Sequence, residues 1–160
     1  MPTFTTERLV AYSARQMFDV VADVDRYPLF LPLCESLIVR ERKVLGDTSV
    51  LTATMGVGYK AIRETFTTRV TLHPAELTIL VEYLDGPFRH LENRWRFVDK
   101  TPGTSLVDFY ITYEFRSRAL GLLVGAMFDR AFRKFASAFE ARAAKVYGGS
   151  AGATAPARFG

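Results

Sequence analysis

The spacing of apolar residues changes once along this chain, and the change limits the folds open to it. Residues 35–115 contain six strand-like runs in succession, broken by turn signals such as Gly46-Asp47 and Pro102-Gly103. Residues 117–147 instead repeat apolar side chains every three or four positions, which is the period of an amphipathic helix. Consecutive strands without intervening helices favour an antiparallel meander that buries one face. We therefore expect the helix to lie against that face.

The segment before the six runs predicts one more strand and two short helical elements. Residues 3–12 alternate and are rich in Thr, Phe and Val, which indicates a first strand. Ser13 is a suitable N-cap for a helix over residues 14–22. Pro28 and Pro32 then allow only a short helical turn with an extended exit. The predicted class is α+β, with a seven-stranded antiparallel sheet and a long C-terminal helix.

The predicted C-terminal helix carries one apolar stripe and two glycines near its start. The stripe consists of Leu120, Val124, Phe128, Phe132, Phe135 and Phe139. Such a stripe is first of all core and has to be buried against the sheet. Gly121 and Gly125 each weaken a helix by about 1 kcal/mol relative to alanine, so we expect this end to be kinked or mobile. Residues 148–160, rich in Gly and Ala, predict a disordered tail after a domain of residues 1–147.

A turn at Gly86-Pro87 leads into a strand whose two faces differ. One face carries Leu91, Asn93, Trp95 and Phe97, and the other carries His90, Glu92, Arg94 and Arg96. An amide among bulky apolar groups either satisfies a backbone group at the end of the sheet or lines a cavity. Both interpretations of Asn93 stay open on the sequence alone.

The overall composition allows one domain and argues against several kinds of site. A chain of 160 residues buries a sizeable core without disulfides, and Cys34 has no second cysteine to pair with. No apolar run reaches the length of about 20 residues that a membrane span needs, and the first residues lack a signal-peptide pattern. The net charge of +4 is compatible with an anionic surface such as phospholipid or RNA. We therefore expect a cytoplasmic protein.

Few side chains are placed to carry acid–base or nucleophilic chemistry. His73 stands in a predicted turn and His90 on the charged strand face, and neither has a second histidine or a cysteine at the spacing of a metal site. Cys34 follows an apolar turn and is expected to be a small core residue. The sequence thus predicts no enzyme, no metal and no catalytic cofactor.

Glu64 is the one carboxylate predicted on an apolar strand face, together with Ile62 and Phe66. Burying a bare carboxylate is too costly, so the side chain is either solvated, paired with an arginine or placed beside a cavity. We favour solvation at the edge of the sheet, with Lys60 on the same face.

Three segments of the chain resemble the coenzyme Q-binding protein family. They are residues 25–34 (DRYPLFLPLC), 86–97 (GPFRHLENRWRF) and 138–143 (AFEARA), in the order that the family shows. One departure is Leu33, where the family usually has tryptophan, so that the apolar side chain is kept and the indole N–H is lost. The family includes mitochondrial proteins that bind ubiquinone and bacterial ribosome-association toxin-like proteins.

The resemblance implies the START-like helix-grip fold, in which a curved sheet wraps around the long helix and leaves a tunnel. It also implies a non-catalytic carrier that holds ubiquinone, or a related isoprenoid lipid, in that tunnel and supports respiration or quinone biosynthesis. The candidate ligand-binding residues are Phe30, Leu31, Phe66, Asn93, Trp95, Phe109, Tyr113, Met127 and Phe128. Among these, Asn93 or Tyr113 is the expected donor to a quinone carbonyl.

Two other functions remain as alternatives. The toxin-like relatives imply a protein that binds the large ribosomal subunit and blocks subunit association. A polyketide cyclase or aromatase on the same fold is the third possibility, and it would need polar groups inside the tunnel.

The start of the C-terminal helix has more apolar surface than one buried stripe requires. Leu120, Leu122 and Leu123 supply the excess, and basic residues such as Arg118 and Arg130 lie on the same helix. A basic helix with surplus apolar surface at one end suits docking to a bilayer. We therefore expect a location peripheral to the inner membrane.

Overall fold

The computed structural model describes residues 2–148 as a seven-stranded antiparallel sheet with helices packed on one face. The strands are β1 (Thr3–Val10), β2 (Cys34–Leu45), β3 (Thr48–Tyr59), β4 (Ile62–His73), β5 (Thr78–Asp85), β6 (Phe88–Asp99) and β7 (Ser105–Phe115). Their order across the sheet is β1, β7, β6, β5, β4, β3, β2. The predicted α+β helix-grip class is confirmed. The predicted tail, apart from Gly148, lies outside the described residues.

The first helix, α1 (Ala14–Ala22), begins where the sequence predicts. The Ser13 hydroxyl accepts a hydrogen bond from the Gln16 backbone N–H at 3.1 Å, and the Gln16 side chain accepts one from the Ser13 N–H at 2.9 Å. This reciprocal pair satisfies two amides that a helix start leaves free. A 3₁₀ helix over Val24–Leu29 follows and contains Pro28, so the predicted short helical turn is also confirmed.

The C-terminal helical segment is divided at Lys134. It forms α2 (Arg118–Arg133) and α3 (Phe135–Tyr147), whereas the sequence predicted one long helix. At the junction the Lys134 N–H donates to the Ala131 carbonyl at 3.0 Å, which is a bond three residues back rather than four. This tighter turn separates the two helices. α2 continues without interruption through Gly121 and Gly125, so the break lies farther along than the glycines suggested.

The inner face of the sheet carries the core. The predicted alternation of β6 is correct, since Asn93, Trp95 and Phe97 are buried while Arg94 and Arg96 are exposed. The Trp95 ring lies 4.7 Å from that of Phe109 on β7 and 5.2 Å from that of Phe139 on α3. These edge-to-face contacts fix the distance between sheet and helix.

Candidate functional site

A cavity of about 70 Å³ lies between the inner face of the sheet and the C-terminal helices. Its wall includes side chains from β2 to β7, from the 3₁₀ helix and from both α2 and α3. The lining residues are Val24, Tyr27, Leu31, Pro32, Leu33, Leu37, Ala53, Met55, Val57, Phe66, Thr68, Val70, Val81, Leu91, Asn93, Trp95, Ile111, Phe128, Ala131, Phe132, Phe135 and Phe139. Since almost all of these side chains are hydrocarbon, the site suits an apolar ligand with few polar groups.

Asn93 joins two strands and also lines this cavity. Its Nδ2 donates to the Tyr110 carbonyl of β7 at 2.9 Å, and its Oδ1 accepts from Trp95 Nε1 at 2.9 Å. An amide left unpaired in such surroundings costs about 1–3 kcal/mol. Asn93 therefore both satisfies a backbone group and lines the cavity, which were the two interpretations left open by the sequence. The Tyr110 carbonyl that it bonds lies in the middle of β7 rather than at the end of the sheet. One N–H of the amide remains for a ligand.

Thr68 is a polar residue of the cavity that the sequence analysis missed. It lies on β4 and is buried, and its hydroxyl has no hydrogen-bond partner among residues 2–148. The available signal was alternation, because residue 68 shares a strand face with Phe66 and Val70. A hydroxyl can donate and accept, so Thr68 is able to bind a ligand carbonyl.

The structure brings only part of the predicted tunnel set together. Leu31, Phe66, Asn93, Trp95 and Phe128 line the cavity, whereas Phe30, Phe109, Tyr113 and Met127 do not. The role of all nine residues in binding a ligand stays a prediction.

Two of these four residues, Phe30 and Phe109, are in contact with other aromatic rings. Phe30 packs edge-to-face against Phe139 at 5.2 Å and lies under the guanidinium of Arg142 at 5.5 Å. Phe109 is covered by Trp95 on one side and by Phe4 of β1 at 6.0 Å on the other. Both side chains therefore support the wall from behind.

Tyr113 and Met127 face other depressions. The Tyr113 ring packs on Phe132 at 5.0 Å, and the residue borders a groove beside the start of α2. Burial, with a further contribution from Asp129, raises the pKa of Tyr113 to about 12, so its hydroxyl stays protonated at neutral pH. Met127 lies beside Glu64 in a small depression next to the cavity.

That small depression adjoins the cavity. It shares Leu33, Val57 and Phe128 with the cavity wall. Glu64 is half-buried there and has no ion pair or hydrogen bond from its side chain among residues 2–148. Lys60 does not share its face as expected, since it lies in the turn before β4 with its ammonium over the Tyr59 ring at 5.2 Å. Glu64 therefore lies beside a small depression next to the cavity, and its partial exposure agrees with the favoured solvation.

The reactive groups do not converge. Burial raises the pKa of the Cys34 thiol to about 11, which keeps it protonated and a poor nucleophile at neutral pH. His73 lies 3.2 Å from the Thr48 hydroxyl through Nδ1. Over residues 2–148, no three His, Cys, Asp or Glu side chains are grouped closely enough to hold a metal ion.

An open groove of about 1180 Å³ lies on the outer face of the sheet. Some of its charged side chains bind one another, as in the pair between Arg96 and Asp108 at 3.0 Å. The guanidinium of Arg94 also stacks on the Tyr110 ring at 4.8 Å. The carboxylates of Glu7 and Glu76 line the same groove and have no ion pair within residues 2–148, so the groove is polar and open, unlike the apolar cavity inside the sheet.

The predicted docking leucines differ in exposure. Leu122 is 83% exposed and Leu123 is 69% exposed, whereas Leu120 packs against the core. Membrane docking by the two exposed leucines stays a prediction. Within residues 2–148, no helix has both the length and the apolar character to cross a bilayer.

The arrangement of sheet, cavity and helices can be compared with known proteins. A family model described as polyketide cyclase / dehydrase and lipid transport matches residues 10–140. The chain belongs to this family. The family resemblance noted in the sequence is confirmed, because the relatives include proteins named coenzyme Q-binding protein and proteins named ribosome association toxin.

Two relatives show the range of names within the family. The chain is 34% identical over 147 residues to the ribosome association toxin RatA of Escherichia coli, covering 92% of this chain and 90% of that protein. It is 30% identical over 149 residues to the mitochondrial coenzyme Q-binding protein COQ10 homolog B of Xenopus laevis, covering 91% of this chain and 59% of that protein. Neither name is that of an enzyme.

Two solved structures have the same fold. An 18 kDa protein from Caulobacter crescentus superimposes with a TM-score of 0.74 at 35% identity, covering 93% of this chain and all of that one. The Zhui aromatase/cyclase from Streptomyces sp. R1128 gives a TM-score of 0.75 at 20% identity, over 93% of this chain and 99% of that one. At that identity the second likeness shows the fold alone.

Proposed function

We propose that this protein is a non-catalytic carrier of ubiquinone or a related isoprenoid lipid. The observation that carries the proposal is the apolar cavity enclosed by the sheet and both C-terminal helices. The coenzyme Q-binding name of a relative 30% identical to the chain supports the choice of ligand. The scattered reactive groups described above support a binding role over catalysis.

The polar groups of the cavity suit a neutral ligand with carbonyl oxygens. The Thr68 hydroxyl and the second N–H of Asn93 are donors, and neither is charged. A quinone ring has two acceptor oxygens and no donor, so these two residues match its chemistry. The isoprenoid chain requires only hydrocarbon around it, which the remaining wall supplies.

The cavity has to enlarge to hold such a ligand. A volume of about 70 Å³ corresponds to roughly two water molecules at about 30 Å³ each. Pockets for drug-sized ligands measure about 300–1,000 Å³. Binding therefore requires outward movement of part of the wall, and α2 is the element that we expect to move.

Mass spectrometry of organic extracts from the purified protein tests the carrier function. We expect a prenylated quinone to co-purify and its amount to fall several-fold in Thr68→Val, which removes the hydroxyl at nearly constant volume. Thr67→Val is the matched control, because the Thr67 hydroxyl bonds to Thr54 at 2.9 Å on the next strand. Extracts without quinone, and no quinone binding after addition, would refute the proposal.

Delivery of the ligand requires contact with a membrane. The two exposed leucines, Leu122 and Leu123, belong to α2, the helix that we expect to move. We propose that they dock the carrier on the surface of the inner membrane. Liposome flotation of Leu122→Ser with Leu123→Ser should show weaker binding with a native circular dichroism spectrum.

Association with the large ribosomal subunit is the second candidate function. The observation in its favour is the 34% identity to proteins named ribosome association toxin. Such binding would rely on Lys and Arg and would weaken steeply with salt. Co-sedimentation with isolated large subunits at 50 mM and at 200 mM salt separates the two candidates. If 6–10 phosphates are contacted, the affinity should fall by about 10³–10⁵ between these two salt concentrations.

A further inference from the structure

A groove of about 590 Å³ lies between the start of α2 and the neighbouring ends of β6 and β7. Three arginines border it: Arg89 comes from β6, and Arg116 and Arg118 stand on either side of the cap of α2. They are brought together by the fold, since the Arg116 N–H donates to the Pro87 carbonyl at 2.8 Å. The sequence separates Arg89 from the other two by more than one whole strand.

The acidic and the basic side chains of this groove differ in whether they have partners. Its carboxylates are engaged, because Glu114 lies 3.8 Å from Arg89 and Asp129 lies 2.8 Å from Arg133. Arg116 and Arg118 have no carboxylate partner among residues 2–148. The groove therefore presents free guanidinium groups, which bind phosphate oxygens through paired N–H donors.

The helix side of the groove is formed partly by backbone. A Cβ at Gly125 would meet no heavy atom within 4 Å, and one at Gly121 would come only to 3.6 Å from the Phe115 ring. The two glycines thus leave space where other residues would fill it. Leu122 lines the same groove and points its exposed side chain outward, with Leu123 beside it.

We propose that this arginine groove binds the headgroup phosphate of an anionic phospholipid while Leu122 and Leu123 enter the acyl region of the same bilayer. The occupant is a membrane surface because free cations and exposed leucines occur side by side, and that combination matches the two layers of a lipid leaflet. RNA would satisfy the arginines and leave the leucines in water. The proposal deepens the docking step of the carrier function and rests on it.

Flotation with phosphatidylcholine vesicles, with and without phosphatidylglycerol, tests this site. We expect the full chain to bind the anionic vesicles more tightly than the neutral ones. The double variant Arg116→Gln with Arg118→Gln should weaken that binding about thirty-fold, because each basic residue at an anionic surface contributes about 1 kcal/mol. The matched control, Arg40→Gln with Lys43→Gln on the edge strand β2, removes the same charge elsewhere and should have little effect. An equal loss in both double variants would overturn the site.

A second variant tests the groove without changing charge. Gly125→Leu should fill the space and weaken binding to the anionic vesicles several-fold, and Gly125→Ala, which adds only one methyl group, should weaken it less. Circular dichroism shows whether both variants keep the fold. Unchanged binding of a folded Gly125→Leu protein would refute the headgroup site.

The outcomes separate this proposal from the carrier function. A protein that carries quinone but binds both kinds of vesicle equally overturns the arginine groove alone. A protein that prefers anionic vesicles through Arg116 and Arg118 but never contains quinone overturns the carrier function alone. Loss of ribosome binding in the arginine variant, with no vesicle binding in the original protein, would assign the groove to RNA and reject the lipid.

Discussion

The two C-terminal helices are held against the sheet in different ways. α3 is hydrogen-bonded to two other elements: the Arg8 side chain of β1 donates to Glu140 at 2.6 Å, and the Tyr147 hydroxyl donates to the Gln16 carbonyl of α1 at 3.1 Å. No side chain of α2 hydrogen-bonds to another strand or helix within residues 2–148. α2 contacts the sheet through the rings of Phe128 and Phe132 and through the Arg133 guanidinium, which lies 4.5 Å from the Phe4 ring of β1.

This difference indicates which wall of the cavity is able to move. Directional hydrogen bonds fix α3 in position and orientation. The burial of apolar surface is non-directional, so the apolar contacts of α2 can be exchanged for contacts with an apolar ligand. We therefore expect α2 to swing away from the sheet about Lys134 when the cavity enlarges, while α3 stays in place.

The largest expected effects come from removing one buried ring from each helix. Phe139→Ala should cost about 4–5 kcal/mol of unfolding free energy, because fixed neighbours cannot close the cavity that it leaves. Phe128→Ala should cost about 3 kcal/mol, since α2 is free to settle into the space. Urea denaturation of both variants measures the difference. A greater loss for Phe128→Ala would reverse the comparison.

The ion pair that ties β1 to α3 should respond asymmetrically to truncation. The Glu140 side chain is 9% exposed and that of Arg8 is 45% exposed. Arg8→Ala leaves a carboxylate buried without a partner and should cost about 3 kcal/mol. Glu140→Ala leaves a half-exposed guanidinium that water can solvate and should cost about 1 kcal/mol. Equal losses in thermal denaturation would show that Glu140 reaches water.

The glycine in the middle of α2 offers a smaller and stabilising change. Gly125→Ala should raise stability by up to about 1 kcal/mol, because the added methyl group meets no neighbour and alanine is the better helix former. Ala126→Gly, at the exposed neighbouring position, should lower stability by about as much.

Hydrogen exchange should show faster opening of α2 than of α3, with Gly125→Ala reducing the difference in exchange rate. Equal exchange in the two helices would argue against a movable α2.

The smallest expected effect concerns Cys34, which follows the cavity residue Leu33. A thiol whose pKa is raised from 9.0 to about 11 favours the folded state below pH 9, and this contribution is lost as the pH rises to about 11. At pH 8 the small thiolate fraction should slow alkylation of Cys34 by iodoacetamide about a hundred-fold relative to an unperturbed thiol. Labelling followed by mass spectrometry measures the rate. Fast labelling of the folded protein would show that Cys34 becomes exposed readily.

Alternation along the strands predicted the faces of the sheet but not the depth of each residue. Phe109 and Ile111 share a face of β7, yet only Ile111 lines the cavity because Trp95 and Phe4 cover Phe109. Coverage of this kind depends on side chains from other strands. The sequence therefore predicted the sheet well and the cavity wall only in part.

Other features had no local signal at all. The bond from Asn93 to the Tyr110 carbonyl depends on the register of β6 and β7, in which Asn93 stands opposite Ile111. The break at Lys134 occurs at a residue that favours helices, so it follows from how the two helices fit the sheet rather than from propensity. Thr68, by contrast, was predictable from its face and was missed because its neighbours on that face are apolar.

The small cavity also has a volumetric consequence. Internal voids disappear when a chain unfolds, and high pressure therefore favours the unfolded state. A void of about 70 Å³ amounts to about 40 mL per mole of protein, a large share of the volume change usual for a domain. Any molecule that fills the space and binds the folded chain should make the protein harder to unfold by compression, whatever its chemical identity.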